Sequence, residues 1–140
     1  MATTDSNTYD IFTITILKDG VNAQSSVAAV LSNEVQMLPA NDDGSLIGTL
    51  TGTSTQLTIY EQGVDKTSEW TITKTPSSGV TLASNEANNV ATVTEITQAT
   101  LTGNVVFTCS KTGFPTFTKE FNVVKITAGA DGTTPVIYSL

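Results

Sequence analysis

The chain is dominated by short runs in which apolar and polar residues alternate, separated by turn-forming residues. In residues 11–17, Phe12, Ile14 and Ile16 share one face, and a Lys-Asp-Gly turn at residues 18–20 ends the run. A period of two places successive side chains on opposite faces of an extended chain, so each run predicts a half-buried β-strand. Residues 22–35 lack the three-and-four spacing of an amphipathic helix and are also predicted to be mostly extended.

Turn residues punctuate this pattern along the whole chain. Clusters containing Gly, Pro, Asn or Asp separate the runs, and Thr and Val dominate the runs themselves. This pattern is typical of an antiparallel β-sandwich, whereas a parallel sheet needs helices between its strands. Pro39 has no N–H to donate to a neighbouring strand, so it is expected at the end of a strand or in a strand at the sheet edge. Further strands are predicted at residues 34–38, 57–60, 70–72, 80–82, 90–96, 105–109, 118–126 and 135–140.

The only tryptophan, Trp70, is predicted to be the packing centre. Trp70 and Ile72 point inward from one sheet, and Ile59 points inward from the other, with the loop after Ile59 crossing between them. A buried tryptophan at this place is typical of an immunoglobulin-like sandwich. The single cysteine cannot form an internal disulfide, so apolar contact of Ile59 with Phe107 or Cys109 is expected where antibody domains have one.

Length and charge limit the classes of protein that fit this chain. At 140 residues it has the length of one domain, with extended strands and connectors predicted at residues 1–30 and 128–140 around a sandwich at residues 31–127. Thirteen acidic residues against six lysines give a net charge of −7, which argues against a nucleic-acid partner. No apolar run approaches the ~20 residues that cross a bilayer, so membrane insertion is not expected. The first ten residues lack the pattern of a secretory signal, so export by that route is not expected.

Few residues in the chain are suited to chemistry. It has no histidine and no arginine, which excludes histidine-dependent catalytic triads, and it lacks a phosphate-binding Gly-rich loop. One cysteine without histidine does not make a zinc site, and Asp42 and Asp43 are predicted to form a turn rather than a calcium site. Glu61, Asp65 and Glu69 are predicted to lie on a solvated loop rather than to form a glycosidase pair. We therefore expect neither catalysis nor a cofactor.

Aromatic residues in or near predicted loops are the candidates for contact with a ligand or partner. Tyr60, Phe114, Phe117 and Tyr138 could stack on a sugar ring or anchor an interface. For Phe114 and Phe117 the alternative interpretation, which we favour, is that they cover the open end of the sandwich.

An ordered set of segments resembles the immunoglobulin-like domain of tailed-bacteriophage tail fibres and tail-tip host-specificity proteins. The resemblance covers residues 31–140, and its order is more specific than any single piece. The segments are LSNE, a P-A-N-x-x-G turn, IYEQGVDKTSEW, VVFTCSKTGFP, KEFNVVK and a closing AGADGTTP. Gly129 and Gly132 match the connector of such proteins, whereas Pro135 departs from a collagen-like Gly-x-y repeat.

The resemblance implies a non-enzymatic module in a virion, assembled in the host cytoplasm, with other tail or virion subunits as partners. It also implies a homo-oligomer, with a trimer favoured. Strands at residues 11–17 and 135–140 are expected to lack partners in the domain and to pair with a neighbouring module or second subunit. Two alternatives stay open. One is a carbohydrate-binding or adhesin domain that contacts glycans outside the cell or on its surface, and the other is a capsid decoration domain.

Overall fold

The alternating runs form two layers of strands. The computed structural model of the protein describes residues 15–17 and 26–127, and these residues form two sheets. The prediction of an all-β chain arranged as a sandwich is confirmed for this part of the chain, whose only helix is one 3-10 turn. The strands are β1 (Thr15–Leu17), β2 (Val27–Leu31), β3 (Val35–Ala40), β4 (Ser54–Glu61), β5 (Val64–Asp65), β6 (Thr71–Pro76), β7 (Val80–Leu82), β8 (Val90–Ile96), β9 (Thr102–Ser110) and β10 (Phe117–Thr127), and the 3-10 helix spans Thr67–Glu69.

The first sheet has the strand order β1-β2-β4-β8-β7, with antiparallel neighbours. Strand β5 forms a hairpin with the end of β4. Gln62 and Gly63 connect them with positive φ at both positions, which is the type I′ turn that suits a two-residue hairpin. Asp65 then accepts hydrogen bonds from the N–H and hydroxyl of Thr67 at 2.9 and 2.6 Å. This turn opens the 3-10 helix that brings Trp70 to the second sheet.

The second sheet has the order β3-β10-β9-β6, and one of its pairs corrects the prediction of a wholly antiparallel sandwich. Strand β3 runs parallel to β10, whereas β10, β9 and β6 are antiparallel neighbours. The chain passes from β2 in one sheet to β3 in the other through Ser32, Asn33 and Glu34, without forming a hairpin. The N–H and C=O of Asn33 bind the Thr55 hydroxyl at 3.1 and 2.6 Å, which fixes this crossing.

The core lies between the sheets, where inward side chains of both meet. Trp70 is 6% exposed, and Phe107 of β9 is fully buried among residues from both layers. Cys109 follows Phe107 on the same face of β9 and is also fully buried. The core residues proposed from the sequence all belong to this one cluster: Ile59, Trp70, Ile72, Phe107 and Cys109.

The inward face of β8 changes phase along the strand. Ala91, Val93 and Ile96 are all buried, although strict alternation places Ile96 on the opposite face from the other two. The pairing of β8 with β7 shifts register between Thr81 and Leu82. A bulge of this kind adds one residue to one strand and restores the apolar face after it.

Residues before the boundary proposed at residue 31 take part in the first sheet. Val27 and Ala29 of β2 are buried in the core. The segment Thr15–Leu17 pairs with β2, so this part of the run at residues 11–17 has a partner inside the chain, contrary to the expectation that it lacks one. The predicted C-terminal strand at residues 135–140, including Tyr138, lies outside the described residues.

Candidate functional site

Charged and aromatic side chains converge on Trp70 at one end of the sandwich. We call Glu61, Glu69, Trp70, Lys111 and Phe114 the Trp70 cap. The indole N–H of Trp70 donates to Glu61 Oε1 at 2.8 Å, which satisfies a polar group that would otherwise be buried without a partner. The Lys111 ammonium binds the carboxylates of Glu61 and Glu69, the latter at 2.8 Å. It also lies 5.2 Å from the centre of the Phe114 ring, within reach of a cation–π contact.

The charges of the Trp70 cap stabilise one another. Hydrogen bonds from Lys111 first and Lys66 second lower the pKa of Glu69 to about 2. The same contacts, with Glu61 as the larger cause and Glu69 as the smaller, raise the pKa of Lys111. The sequence predicted a solvated loop face here, and Asp65 and Glu69 are indeed exposed. Glu61 at the end of β4 is largely buried, and it shares Lys111 with Glu69, because the loop after β9 lies against residues 61–69.

Phe114 and Phe117 pack against the indole instead of facing solvent together. Their ring centroids each lie 5.3 Å from that of Trp70, with interplanar angles of 51° and 66°. Phe117 opens β10 and is buried, which leaves its ring no face for a ligand, and Phe114 is half-buried. Both positions correspond to the interpretation in which these rings cover the open end of the sandwich.

Tyr60 lies apart from the aromatic cluster around Trp70. It occupies the outward face of β4, opposite the buried Ile59, and is half-buried. Its cross-strand neighbours are Ala28 of β2 and Asp65 of β5. Tyr60 is therefore a surface residue of the first sheet, whereas Phe114 belongs to the Trp70 cap.

A polar groove of about 680 Å³ opens beside Trp70, between the 3-10 helix, β6 and the loop before β8. The buried side chains of Trp70 and Ile72 form its apolar part. Hydroxyl, amide and carboxylate groups form the rest, and hydrogen bonding to Thr67 lowers the pKa of the Asp65 carboxyl. Such a lining can hydrogen-bond a polar ligand and pack against its apolar face. The lining residues are Asp65, Thr67, Ser68, Trp70, Thr71, Ile72, Asn88 and Asn89.

At the opposite end of the sandwich, a buried lysine joins two loops to β10. Lys125 is 6% exposed, and its ammonium donates to the carbonyl oxygens of Gly44, Thr97 and Gln98 at 2.7, 2.7 and 3.3 Å. Sequence reasoning missed this residue, although period-two alternation along β10 places it in phase with the buried Val123. An ammonium that binds three carbonyls is a structural cross-link between segments far apart in sequence.

Lys119 is a second inward lysine of β10. It is 6% exposed, and its ammonium lies 3.6 Å from the carboxylate of Glu34 in the crossing between the two sheets. Lys119 is in phase with the buried Phe117 and Phe121 of β10. The period-two pattern therefore indicated that Lys119 points inward, although lysine is usually exposed.

The Asp42-Asp43 pair forms the predicted turn. Asp43 accepts hydrogen bonds from the hydroxyl and N–H of Ser45 at 2.6 and 2.9 Å, and these bonds lower the pKa of its carboxyl. Gly44 has φ +89°, which favours glycine, and a side chain there would meet the backbone of Gln98. Within residues 26–127, no three acidic or cysteine side chains come together in a way that could hold a metal ion.

Comparisons of the chain with protein-family models, with curated proteins and with solved structures found no match. In the described part of the chain, no helix has the length and apolar character needed to cross a membrane.

Proposed function

We propose that the protein is a non-enzymatic, immunoglobulin-like structural module of a bacteriophage tail fibre or tail tip. In this proposal it spaces or positions the parts that recognise the host, its partners are other tail or virion subunits, and it acts in the virion as a homo-oligomer. The ordered segments that resemble such modules support the proposal from the sequence.

The strand order supports the immunoglobulin-like assignment. Strands β2, β4, β8 and β7 correspond in order to the A, B, E and D strands of that fold, and β6, β9 and β10 to C, F and G. Trp70 directly precedes β6, close to the place of the conserved tryptophan of strand C. Ile59 of β4 and Cys109 of β9 fall on the strands that a disulfide joins in antibody domains.

The observation that carries the structural role is the use of lysines as internal ties. Lys111 joins the loop after β9 to Glu61 and Glu69, and Lys125 joins two loops to β10. Lys74 of β6 donates to Glu86 at 2.9 Å and to the Ala87 carbonyl at 3.1 Å, which joins the second sheet to the loop before β8. Charges that bind separate segments of one domain favour a rigid body, as a spacer requires.

Binding experiments on the purified chain test this role. A spacer should give no signal on an array of cell-surface glycans and none with whole bacterial cells. Antibodies raised against the chain should label tail fibres or tail tips of the encoding phage in electron micrographs. Labelling of the surface of uninfected cells, or of capsids alone, contradicts the proposal.

A second candidate function, glycan binding, is favoured by the polar groove beside Trp70. Its lining combines Trp70 with the polar residues Asp65, Ser68 and Asn88, which suits the mixed polar and apolar surface of a sugar. Because Trp70 is the only tryptophan, its fluorescence should report an occupied groove. A glycan that changes this fluorescence in the parent chain but not in Asn88→Ala supports the second candidate over the first.

A further inference from the structure

Among the described residues, strand β3 is the outer strand of the second sheet, and no strand of residues 15–17 or 26–127 pairs with part of its backbone edge. The N–H of Asn122 donates to the carbonyl of Glu34 at 2.8 Å, which fixes the phase of the parallel ladder with β10. Alternate residues of a parallel strand direct their backbone groups to opposite sides, so those of Val35 and Met37 point away from β10. Among residues 26–127, only the side-chain amide of Gln36 approaches these groups, 3.4 Å from the Met37 carbonyl.

The residues that flank this stretch in phase, Asn33 and Pro39, cannot extend the pairing. Pro39, the next residue in phase, has no N–H, and its carbonyl accepts a hydrogen bond from Ile47 at 2.9 Å. On the other side, the N–H and C=O of Asn33 are occupied by the Thr55 hydroxyl. We call residues 35–37 the edge window. It offers two donors and two acceptors, which is the set that one short antiparallel strand can satisfy.

The side chains of the edge window are apolar or neutral. Val35 and Met37 lie on the outward face and are 47% and 63% exposed, and Gln36 carries no charge. A chain with a net charge of −7 repels a second copy in general. An uncharged segment lets two copies approach each other without direct charge repulsion, and it offers no charge to attract a basic or acidic partner.

We propose that the edge window pairs with the edge window of a second copy, antiparallel and around a twofold axis at Gln36. Val35 then exchanges both backbone hydrogen bonds with the partner's Met37, and Met37 exchanges two with the partner's Val35. All of the free donors and acceptors of both windows are used. The apolar side chains of each pair face one another across the strands, as cross-strand neighbours do. The pairing joins two four-stranded sheets into one of eight strands.

Symmetry and size determine the assembly. A twofold contact uses the same surface on both copies and closes at a dimer, whereas the resemblance to tail-fibre modules implies a trimer. Three paired residues a side bury far less than the ~800 Å² per partner of a standard interface. The dimer is therefore expected to be weak and to form only at high protein concentration. This inference uses the backbone and side chains of β3 and the charge of the chain, and it does not depend on the proposed function.

Sedimentation of the purified chain over a range of concentrations provides the first test. The mass should rise from the 14.7 kDa of one chain towards twice that value as the concentration reaches several hundred micromolar. Met37→Pro removes the backbone N–H of residue 37, which the ladder with β10 does not use. A proline already occupies the next position in phase, residue 39. It should weaken the dimer at least tenfold without changing the circular dichroism. A chain that stays monomeric, a trimer, or a dimer unaffected by this variant overturns the proposal.

Cross-linking provides a second test that does not depend on Met37→Pro folding. Gln36 faces the partner's Gln36 as a non-hydrogen-bonded pair, with Cα atoms ~4.5 Å apart, which is within disulfide range. Gln36→Cys should form a covalent dimer on mild oxidation at least tenfold faster than the matched variant Val64→Cys, which lies on an exposed strand of the other sheet. The native Cys109 is buried and does not compete. Equal rates for the two variants contradict twofold pairing at the edge window.

Discussion

Replacing Lys125 by methionine tests whether this buried ammonium holds one end of the sandwich together. Methionine keeps the length and the apolar stem of lysine but cannot donate a hydrogen bond. The substitution leaves the carbonyls of Gly44, Thr97 and Gln98 without their common donor. Two loops, around residues 41–45 and 97–100, then lose their side-chain contacts with β10.

The cost follows from those three acceptors. Leaving a buried acceptor without its partner costs about 1 to 3 kcal/mol. We take the low end for each carbonyl, because loop carbonyls can bind water and because removing the charge also removes its desolvation penalty. The expected loss is about 3 kcal/mol out of the roughly 5 to 15 kcal/mol that stabilise a domain. For a chain of this size the melting temperature should fall by roughly 10 °C.

Urea denaturation followed by circular dichroism measures this loss, with Lys66→Met as the matched control. Lys66 is partly exposed, with 40% of its side chain accessible, and makes one ion pair, with Glu69, so its replacement should change stability by less than about 0.5 kcal/mol. Amide exchange should also become faster in the two loops of Lys125→Met. If Lys125→Met is as stable as the parent chain, the carbonyl contacts contribute nothing net and the tie between the loops is not structural.

Three further predictions concern the core and the Trp70 cap. Trp70→Ala should destabilise the fold by about 3 to 5 kcal/mol in the same urea assay, because the largest core side chain is lost, and a loss below 1 kcal/mol contradicts its central position. The pKa of Glu69 lies near 2 in the folded chain against 4.5 in the unfolded one, so its stabilising effect is complete above pH 4.5 and disappears as the pH falls towards 2. The urea midpoint should fall over that range, and less so in Glu69→Gln; equal pH dependence of the two proteins excludes Glu69 as its source. Burial raises the pKa of Cys109 to about 11, so a thiol reagent should label it only after unfolding, and rapid labelling of the native chain contradicts its burial.

Strand positions followed from the sequence because alternation is a local property. The runs around Ile59, Ile72 and Phe107 each have one apolar face, and any extended chain that buries this face puts them in a core. Pro39 also indicated an edge strand correctly, since a missing donor is tolerated only where no neighbour needs it. These features need no knowledge of the partner strand.

The alternation of apolar residues does not indicate which strands pair with each other. The parallel contact of β3 with β10 joins residues about 87 positions apart, such as Val35 and Asn122, and no local pattern encodes it. The change of phase in β8 depends on a register shift opposite Leu82. The contribution of Val27 and Ala29 to the core was missed because the apolar residues of β2 are bunched rather than alternating.

The candidate site was predictable only in part. Trp70, Phe114 and Phe117 were recognised as large side chains that need burial or a partner, and their clustering agrees with the interpretation that they cover one end. The ion pairs of Lys111 with Glu61 and Glu69 were not foreseen. Lys111 lies 50 residues after Glu61 and meets it only when the loop after β9 lies against residues 61–69.

By itself, the sequence determined that the chain is extended, which faces are apolar and where it turns, since these depend on the spacing of neighbouring residues. The tertiary structure alone decided which strands pair, that Lys119 and Lys125 are buried, and that no described strand pairs with the outer edge of residues 35–37. Those outcomes depend on contacts between distant segments, whose hydrogen bonds and burial exist only once both layers have assembled.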